Sequence, residues 1–466
     1  MSTDEARDAT RGSALKLFAE LLGRTLQLVT TLLLARSLGA ADFGLFGVLS
    51  SIAVVAAEAA DLGLQGTATR ALVAGTLSLR AILRAKALLS ALFLLATLLA
   101  WPVSPLLVPL LLYFAGAGWA EILGVALRAR GRRVGEAAVV FALRLAGLVL
   151  VATTLARSGT LLACAWALAL STVAPCLLAA ILLRASRTLP ASTTAHREPG
   201  SLAVLRTSLP LAVNGGLALL SLRVELLVMS ALRGPAEVGY FFAALQVVQV
   251  LNFVPNALCA GAMPALTREA LRAQSGQAES DAVRRRTAST VAFAAAPAAV
   301  GLALVASALV ALLDKDEYAH AAAPLAVLAL AVVPLFLNGL LTHALIAADR
   351  ASLLPRLTVV RVVLAALLAA LLVPAAGALG AALGFVLSEL VLVVLGTRAA
   401  RGARFPVRSI RPALVALGAA LPMAAAVMPL RAHLAPAVVT GALVYGLVVA
   451  AGYRVFPRLR RELGYS

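Results

Sequence analysis

Apolar runs of about twenty residues, each closed by charge or by Pro and Gly, recur from residue 14 to residue 453. Twenty residues of helix rise about 30 Å, the thickness of a bilayer's hydrocarbon core. The pattern predicts fourteen spans, at 14–35, 44–64, 86–103, 106–127, 137–156, 159–183, 207–232, 238–262, 289–313, 323–347, 356–374, 377–396, 412–430 and 435–453. The longest gaps, 184–206 and 263–288, are polar and basic and read as linkers. None leaves room for a folded domain outside the membrane, so function is expected among the helices. The first run is too long for a signal-peptide core and contains Glu20 and Arg24, so it is expected to remain as a membrane helix.

An internal repeat organises these spans. Gly39-Ala40-Ala41-Asp42-Phe43-Gly44-Leu45-Phe46 aligns at an offset of 195 with Gly234-Pro235-Ala236-Glu237-Val238-Gly239-Tyr240-Phe241. Val139 to Arg144 in the fifth span parallels Arg356 to Arg361 in the eleventh. A unit of six spans is even-numbered, so both copies enter the membrane in the same sense, which predicts parallel repeats with a cavity between them. The fold expected is an all-α polytopic membrane protein: a six-helix bundle over 1–183, a cytoplasmic linker over 184–206, a second bundle over 207–396, and two added helices with a basic tail over 397–466.

Composition sharpens this. Of 466 residues 62% are hydrophobic and 13% charged, with mean hydropathy +0.98, which excludes a water-soluble enzyme. The 40 Lys and Arg against 21 Asp and Glu give a net charge of +19, which in a soluble chain would suggest nucleic acid. Here the basic residues lie in short clusters between apolar runs, with no aromatic-interleaved patch to stack bases, so they read as topology signals facing anionic lipid. With the N-terminus inside, 31 of them fall on inner segments, five on outer segments and four within spans, which predicts that both termini are cytoplasmic. Three Lys amid abundant Arg, Ala, Leu and Val read as a bacterial coding bias and point to the inner membrane of a bacterium.

Candidate chemistry lies in the polar residues within spans, since an ionised side chain at mid-bilayer costs about 3 kcal/mol on insertion scales. Glu20, Arg24, Gln27 and Thr31 share one face of the first span, and Asn214, Ala218, Ser221 and Glu225 repeat that spacing in the seventh. Glu58, Asp61 and Gln65 in the second span are matched by Gln246, Gln249 and Asn256 in the eighth. Arg144 and Arg361 occupy one repeat position, about two turns into their predicted spans, from which either could snorkel to headgroups. Arg223 and Glu225 are two apart and point to different faces, so each needs its own partner or water. Glu121 and Glu389 are expected to hydrogen-bond the intramembrane arginines. Cys164, Cys176 and Cys259 read as small core residues. His196, His320, His343 and His433 are scattered, with no metal, nucleophile or nucleotide motif, so neither catalysis nor a cofactor is expected beyond a coupling H+ or Na+.

Leu33-Leu34-Ala35-Arg36-Ser37-Leu38-Gly39-Ala40-Ala41-Asp42-Phe43-Gly44-Leu45-Phe46, continuing to Asp61-Leu62-Gly63-Leu64 and Thr69-Arg70, resembles the polysaccharide flippase family of the multidrug/oligosaccharidyl-lipid/polysaccharide exporter superfamily. Arg223-Val224-Glu225-Leu226-Leu227 is similar to that family's Arg-x-Asp-x-x pattern, with Glu for Asp. The resemblance implies a MATE-like fold and an undecaprenyl-pyrophosphate-linked oligosaccharide carried to the outer leaflet by alternating access, with membrane lipids and polysaccharide polymerase machinery as partners. Arg24, Arg144, Arg361 and Arg223 are then candidates for the pyrophosphate, Gln27, Asn214, Gln249 and Asn256 for the glycan, and Glu225, Asp61 and Glu58 for ion coupling. The alternatives are a cation-coupled drug extruder of the same superfamily, which would favour acids over arginines, and a membrane polymerase or glycosyltransferase, which normally needs a large outer loop or clustered cytoplasmic acids.

Overall fold

The structure is a computed structural model that describes residues 3–74, 77–99, 101–102, 104–185, 201–274, 281–313, 316–402 and 410–455, with side chains omitted at 3–20, 70, 73–74, 133, 201–203, 207, 210, 211, 214, 273–274, 402, 410 and 453–455. Among these residues regular structure is all helical: α1 (Thr3–Asp61), α2 (Leu64–Ala74), α3 (Leu79–Leu99), α4 (Leu107–Ala129), α5 (Arg133–Arg157), α6 (Leu161–Ser171), α7 (Val173–Arg184), α8 (Ser201–Ser221), α9 (Val224–Leu232), α10 (Pro235–Leu251), α11 (Phe253–Gln274), α12 (Ala282–Val310), α13 (Ala322–Leu330), α14 (Val332–Ala347), α15 (Leu354–Gly402), α16 (Ile410–Val427) and α17 (Leu434–Val455).

Eleven helical stretches among the described residues are long and apolar enough to cross a membrane, or twelve if Gly215–Ser221 and Val224–Leu232, bent by 51°, form one span. The sequence pattern predicts fourteen, and the difference lies in α1 and α15. A straight helix of 49 residues would be about 73 Å long, more than twice a bilayer core. Instead α15 is interrupted at Gly377 (φ 55°, ψ −131°), a conformation that requires glycine. Beyond that residue the chain folds back: a Cβ on Gly384 would lie 3.4 Å from the amide nitrogen of Ala369. α1 is interrupted in the same way at Gly39 (φ 78°, ψ 169°). The repeat partner of Gly39, Gly234, is the extended residue that opens α10, so the aligned glycines mark helix boundaries in both copies.

The chain divides into two compact units, Met1–Arg223 and Val224–Ser466. The division falls at the break between α8 and α9, within the seventh predicted span; most of the 184–206 segment lies outside the described residues. In the first unit Leu64, Ile82, Leu89, Ile122 and Val204 join α2, α3, α4 and α8 in one core, while Ala120, Leu127, Val139 and Ala179 join α4, α5 and α7. In the second, Ala288, Ala292, Ala295, Ala296 and Ala299 are all buried along α12, and such small side chains let helices approach closely.

Polar clasps hold the helix ends. Arg130 donates to the Leu183 carbonyl (2.7 Å) and Arg132 to that of Ala185 (3.3 Å), meeting the orphan acceptors at the end of α7. Arg128 pairs with Glu136 at 2.7 Å. The 263–288 segment is not the linker that its polarity suggests: α11 continues to Gln274, and Glu269 accepts from Arg284 Nε (2.7 Å) and from the Val283 amide (3.1 Å) to bind α11 to α12. Arg284 is 2% exposed, so this charge is part of the fold.

Candidate functional site

The polar residues of the first unit gather at two places. One surrounds the turn after α1, where Leu62 (φ 48°) and Gly63 (φ 68°) are both left-handed and the leucine costs about 1–2 kcal/mol. Asp61 holds that turn with both oxygens: Oδ1 pairs with the buried Lys86 ammonium of α3, and Oδ2 accepts the Gln65 amide at 3.2 Å. Gln65 in turn donates to Glu121 of α4 at 2.8 Å. Glu121 is therefore hydrogen-bonded by an amide, and the arginine expected from sequence, Arg144, acts on it through electrostatics without a hydrogen bond. Glu58, one turn before Asp61, makes no hydrogen bond or ion pair among the described residues; its Oε1 lies 2.8 Å from where a Cβ on Gly215 would stand, so α8 carries glycine there to admit it.

Lys86 is the residue that sequence reading missed. It opens the third apolar run and so passes for a flanking charge, but α3 begins at Leu79, which sets Lys86 two turns inside the helix. The alternation of Ala81, Ile82, Ala85 and Leu89 around it, all buried, is the signal that puts it on the packed face. It supplies the cation that Asp61 lacks on its own helix.

The second place is the middle of α5. Because that helix starts at Arg133, Arg144 stands eleven residues, or about 16 Å, from its beginning, four residues deeper than in the predicted span. Its guanidinium is half-buried and meets one partner among the described residues, the Tyr113 hydroxyl of α4 at 3.4 Å. Its stem lies against α1, where a Cβ on Gly23 would be 3.5 Å from Arg144 Cγ. Arg24 and Gln27 follow on α1, the first half-buried and the second exposed. Arg223 occupies the break after α8, with Nη1 buried and unbonded. The Asn214 side chain lies outside the described residues.

The second unit encloses its charges. Arg361 is 4% exposed and donates through Nε to Glu389 Oε1 at 2.6 Å and through Nη2 to Glu225 Oε1 at 3.3 Å. Its guanidinium carbon sits 5.1 Å from the centre of the Phe385 ring, within cation–π range. Asn338 of α14 locks Glu389 from the far side, donating to Oε2 (2.7 Å) and to the backbone carbonyl (3.1 Å). Glu389 is thus an arginine partner, as expected, whereas Arg361 is not presented as an open guanidinium. Glu225 is wholly buried, with Oε2 unbonded. Gln249 is half-buried, and Asn256 is exposed with its amide turned back to the Asn252 carbonyl at 2.8 Å.

What these arrangements can do chemically is bind and balance charge inside a helical membrane protein. No group of three or more metal-ligating side chains occurs among the described residues. The fold is that of known transporters. It superposes on a lipid II flippase, MurJ, in an inward closed conformation (TM-score 0.74, 12% identity, 95% of this chain and 99% of that one). It also superposes on a multidrug resistance MATE family transporter of the MOP superfamily, inward-facing (TM-score 0.67, 17% identity, 81% and 94% covered) and outward-facing (TM-score 0.59, 17% identity, 84% and 94% covered). No curated protein matches the sequence. The model of a family described as polysaccharide biosynthesis protein matches residues 9–269, which is more than half of the length. With that match, the chain belongs to the polysaccharide biosynthesis protein family.

Proposed function

We propose that the protein is a flippase that moves an undecaprenyl-pyrophosphate-linked oligosaccharide from the inner to the outer leaflet of a bacterial cytoplasmic membrane by alternating access. The observation that carries this reading is a pair of half-buried arginines, Arg24 and Arg144, on adjoining faces of α1 and α5 in a chain of the polysaccharide biosynthesis family. A pyrophosphate needs donors that stay cationic in a low-dielectric interior, and arginine does so where lysine can lose its proton. Gln27 of α1, exposed three residues beyond Arg24, offers an amide to the sugars. In this reading α1 and α15 each cross twice, at Gly39 and Gly377, which gives fourteen crossings with both termini in the cytoplasm. The glycan is delivered to a polymerase on the other side.

Outward movement of an anion is favoured by an outside-positive potential by about 2.3 kcal/mol per charge per 100 mV. If an ion is coupled as well, Glu58 is the acid for it. Asp61 has both oxygens bonded and Glu225 faces Arg361, but Glu58 is half-buried and unbonded among the described residues. The open acids Glu58 and Glu121 are also what a cation extruder of this superfamily would use. Proteoliposomes separate the two. The flippase reading expects a fluorescent undecaprenyl-pyrophosphate oligosaccharide to become accessible from the far leaflet, and lipid-linked sugars to accumulate in a deletion strain. Movement of a fluorescent organic cation, with no lipid flipping, would overturn it.

A further inference from the structure

The two helices that the sequence places beyond the second bundle, α16 and α17, meet a defect in α12. That helix runs for 29 residues with Pro297 inside it. A proline has no amide to bond the carbonyl four residues back, here that of Phe293, and its ring crowds the same carbonyl. In hydrocarbon no water replaces the lost bond, so a neighbouring helix must. Tyr445 of α17 does so: its hydroxyl donates to the Phe293 carbonyl at 3.0 Å. Pro264 and Pro422 also lie inside helices, and among the described residues no side chain donates to the Ala260 or Gly418 carbonyl four residues before them.

The fit extends along one face of α12. Residues 293, 297 and 301 are each four apart, and the last is Gly301, where a Cβ would stand 4.0 Å from Met423 Cε of α16. Met423 also lies against Gly441 of α17, its Cγ 3.7 Å from where a Cβ would be, and Tyr445 follows one turn later. Both helices turn fitted residues inward: Ala416, Ala420, Met423 and Val427 of α16 and Ala437 and Tyr445 of α17 are all buried at helical spacing. The pair thus takes hold of α12 one turn before Pro297 with a hydroxyl and one turn after it with a thioether methyl.

We propose that α16 and α17 form a brace fitted to Pro297, in which the Tyr445 hydroxyl stands in for the amide that the proline lacks. The brace makes α12 and the added pair one rigid element across the break, so Pro297 does not serve as a hinge. A tyrosine that only filled space would matter equally whatever residue stood at 297. One that replaces an amide matters only while 297 has none. Neither consequence depends on what the protein carries.

The test is a double-variant cycle on the full-length protein in lipid–detergent micelles, read by reversible unfolding. Tyr445→Phe removes the hydroxyl alone and is expected to lower the folding equilibrium constant about fivefold, the net effect of one hydrogen bond. In the Pro297→Ala background residue 297 bonds Phe293 through its own amide, and the same change is expected to lower the constant by less than about twofold. A loss in that background as large as in the parent, or no loss in the parent, overturns the brace. Should Pro297→Ala not fold, hydrogen exchange decides. Tyr445→Phe is then expected to speed exchange of the α12 amides on either side of Pro297 by about fivefold and to leave those of α5 unchanged. Unchanged exchange in α12, or an equal rise in α5, overturns the proposal.

Discussion

Arg144 and Arg361 stand at matching places in matching helices, and the comparison between them shows how one repeat position can serve two ends. Around Arg361 the second unit closes a neutralising shell: Glu389 and Glu225 on two nitrogens, Phe385 over the plane, and Asn338 fixing the first acid from behind. Around Arg144 the first unit offers a tyrosine hydroxyl and leaves the side chain half-buried. The physical cost differs accordingly. A buried ion pair is weak as a source of stability but expensive to break, because the survivor is an uncompensated charge. Removing the half-open Arg144 leaves a tyrosine hydroxyl and, at electrostatic range, Glu121, which keeps its hydrogen bond from Gln65. Stability and function should therefore separate between the two sites.

The largest expected effect comes from Arg361→Ala, which strands Glu225 and Glu389 and should cost about 3–5 kcal/mol in reversible unfolding, against less than about 1 kcal/mol for Arg144→Ala. Equal losses from the two substitutions would break the comparison. Next, Lys86→Met should destabilise by about 3 kcal/mol, since Asp61 is then left without its cation at a strained turn. The double variant Lys86→Met/Asp61→Asn should recover most of that, and failure to recover would mean that Lys86 acts through packing alone. Asn338→Leu removes two hydrogen bonds from Glu389 and should cost about 1.5–3 kcal/mol while sparing substrate binding. The smallest stability effect is that of Gly215→Ala, about 1 kcal/mol by crowding Glu58, but it should flatten any dependence of transport on pH or Na+. An unchanged ion dependence would remove Glu58 from coupling.

Much of this was legible in the sequence. Twenty-residue apolar runs fix the solvent, and helix bounds follow to within about a turn for α4 and α5, because lipid imposes a length on every crossing. That Glu389 would meet an intramembrane arginine was legible, because a lone acid in a span has few other ways to be satisfied; that the arginine is Arg361 needed the structure. What stayed hidden needs the third dimension. Lys86 sits where a span's border and its interior look alike in sequence, so only the start of α3 at Leu79 moves it inside. Asn338 is one polar residue in an apolar run, and its importance appears only once Glu389 is seen beside it. The reversal within α15, by contrast, was legible without any polar loop, because Pro374 and Gly377 separate the eleventh predicted span from the twelfth.

That reversal bears on how the protein is made. Between Arg361 and Arg398 the only ionised side chain is Glu389, and the turn Pro374-Ala375-Ala376-Gly377 carries no charge. The first limb alone, emerging from the ribosome into the translocation channel, would have no distal anchor to hold it across the bilayer, and of the two acids that hold Arg361 only Glu225 would yet exist. With Glu389 synthesised 28 residues later, the two limbs can partition into lipid together as a hairpin whose charges already cancel. The basic residues Arg356, Arg398 and Arg401 then remain at one face to fix its orientation. A hairpin inserted as one unit thus keeps Arg361 and Glu389 as a neutral pair between its own two limbs.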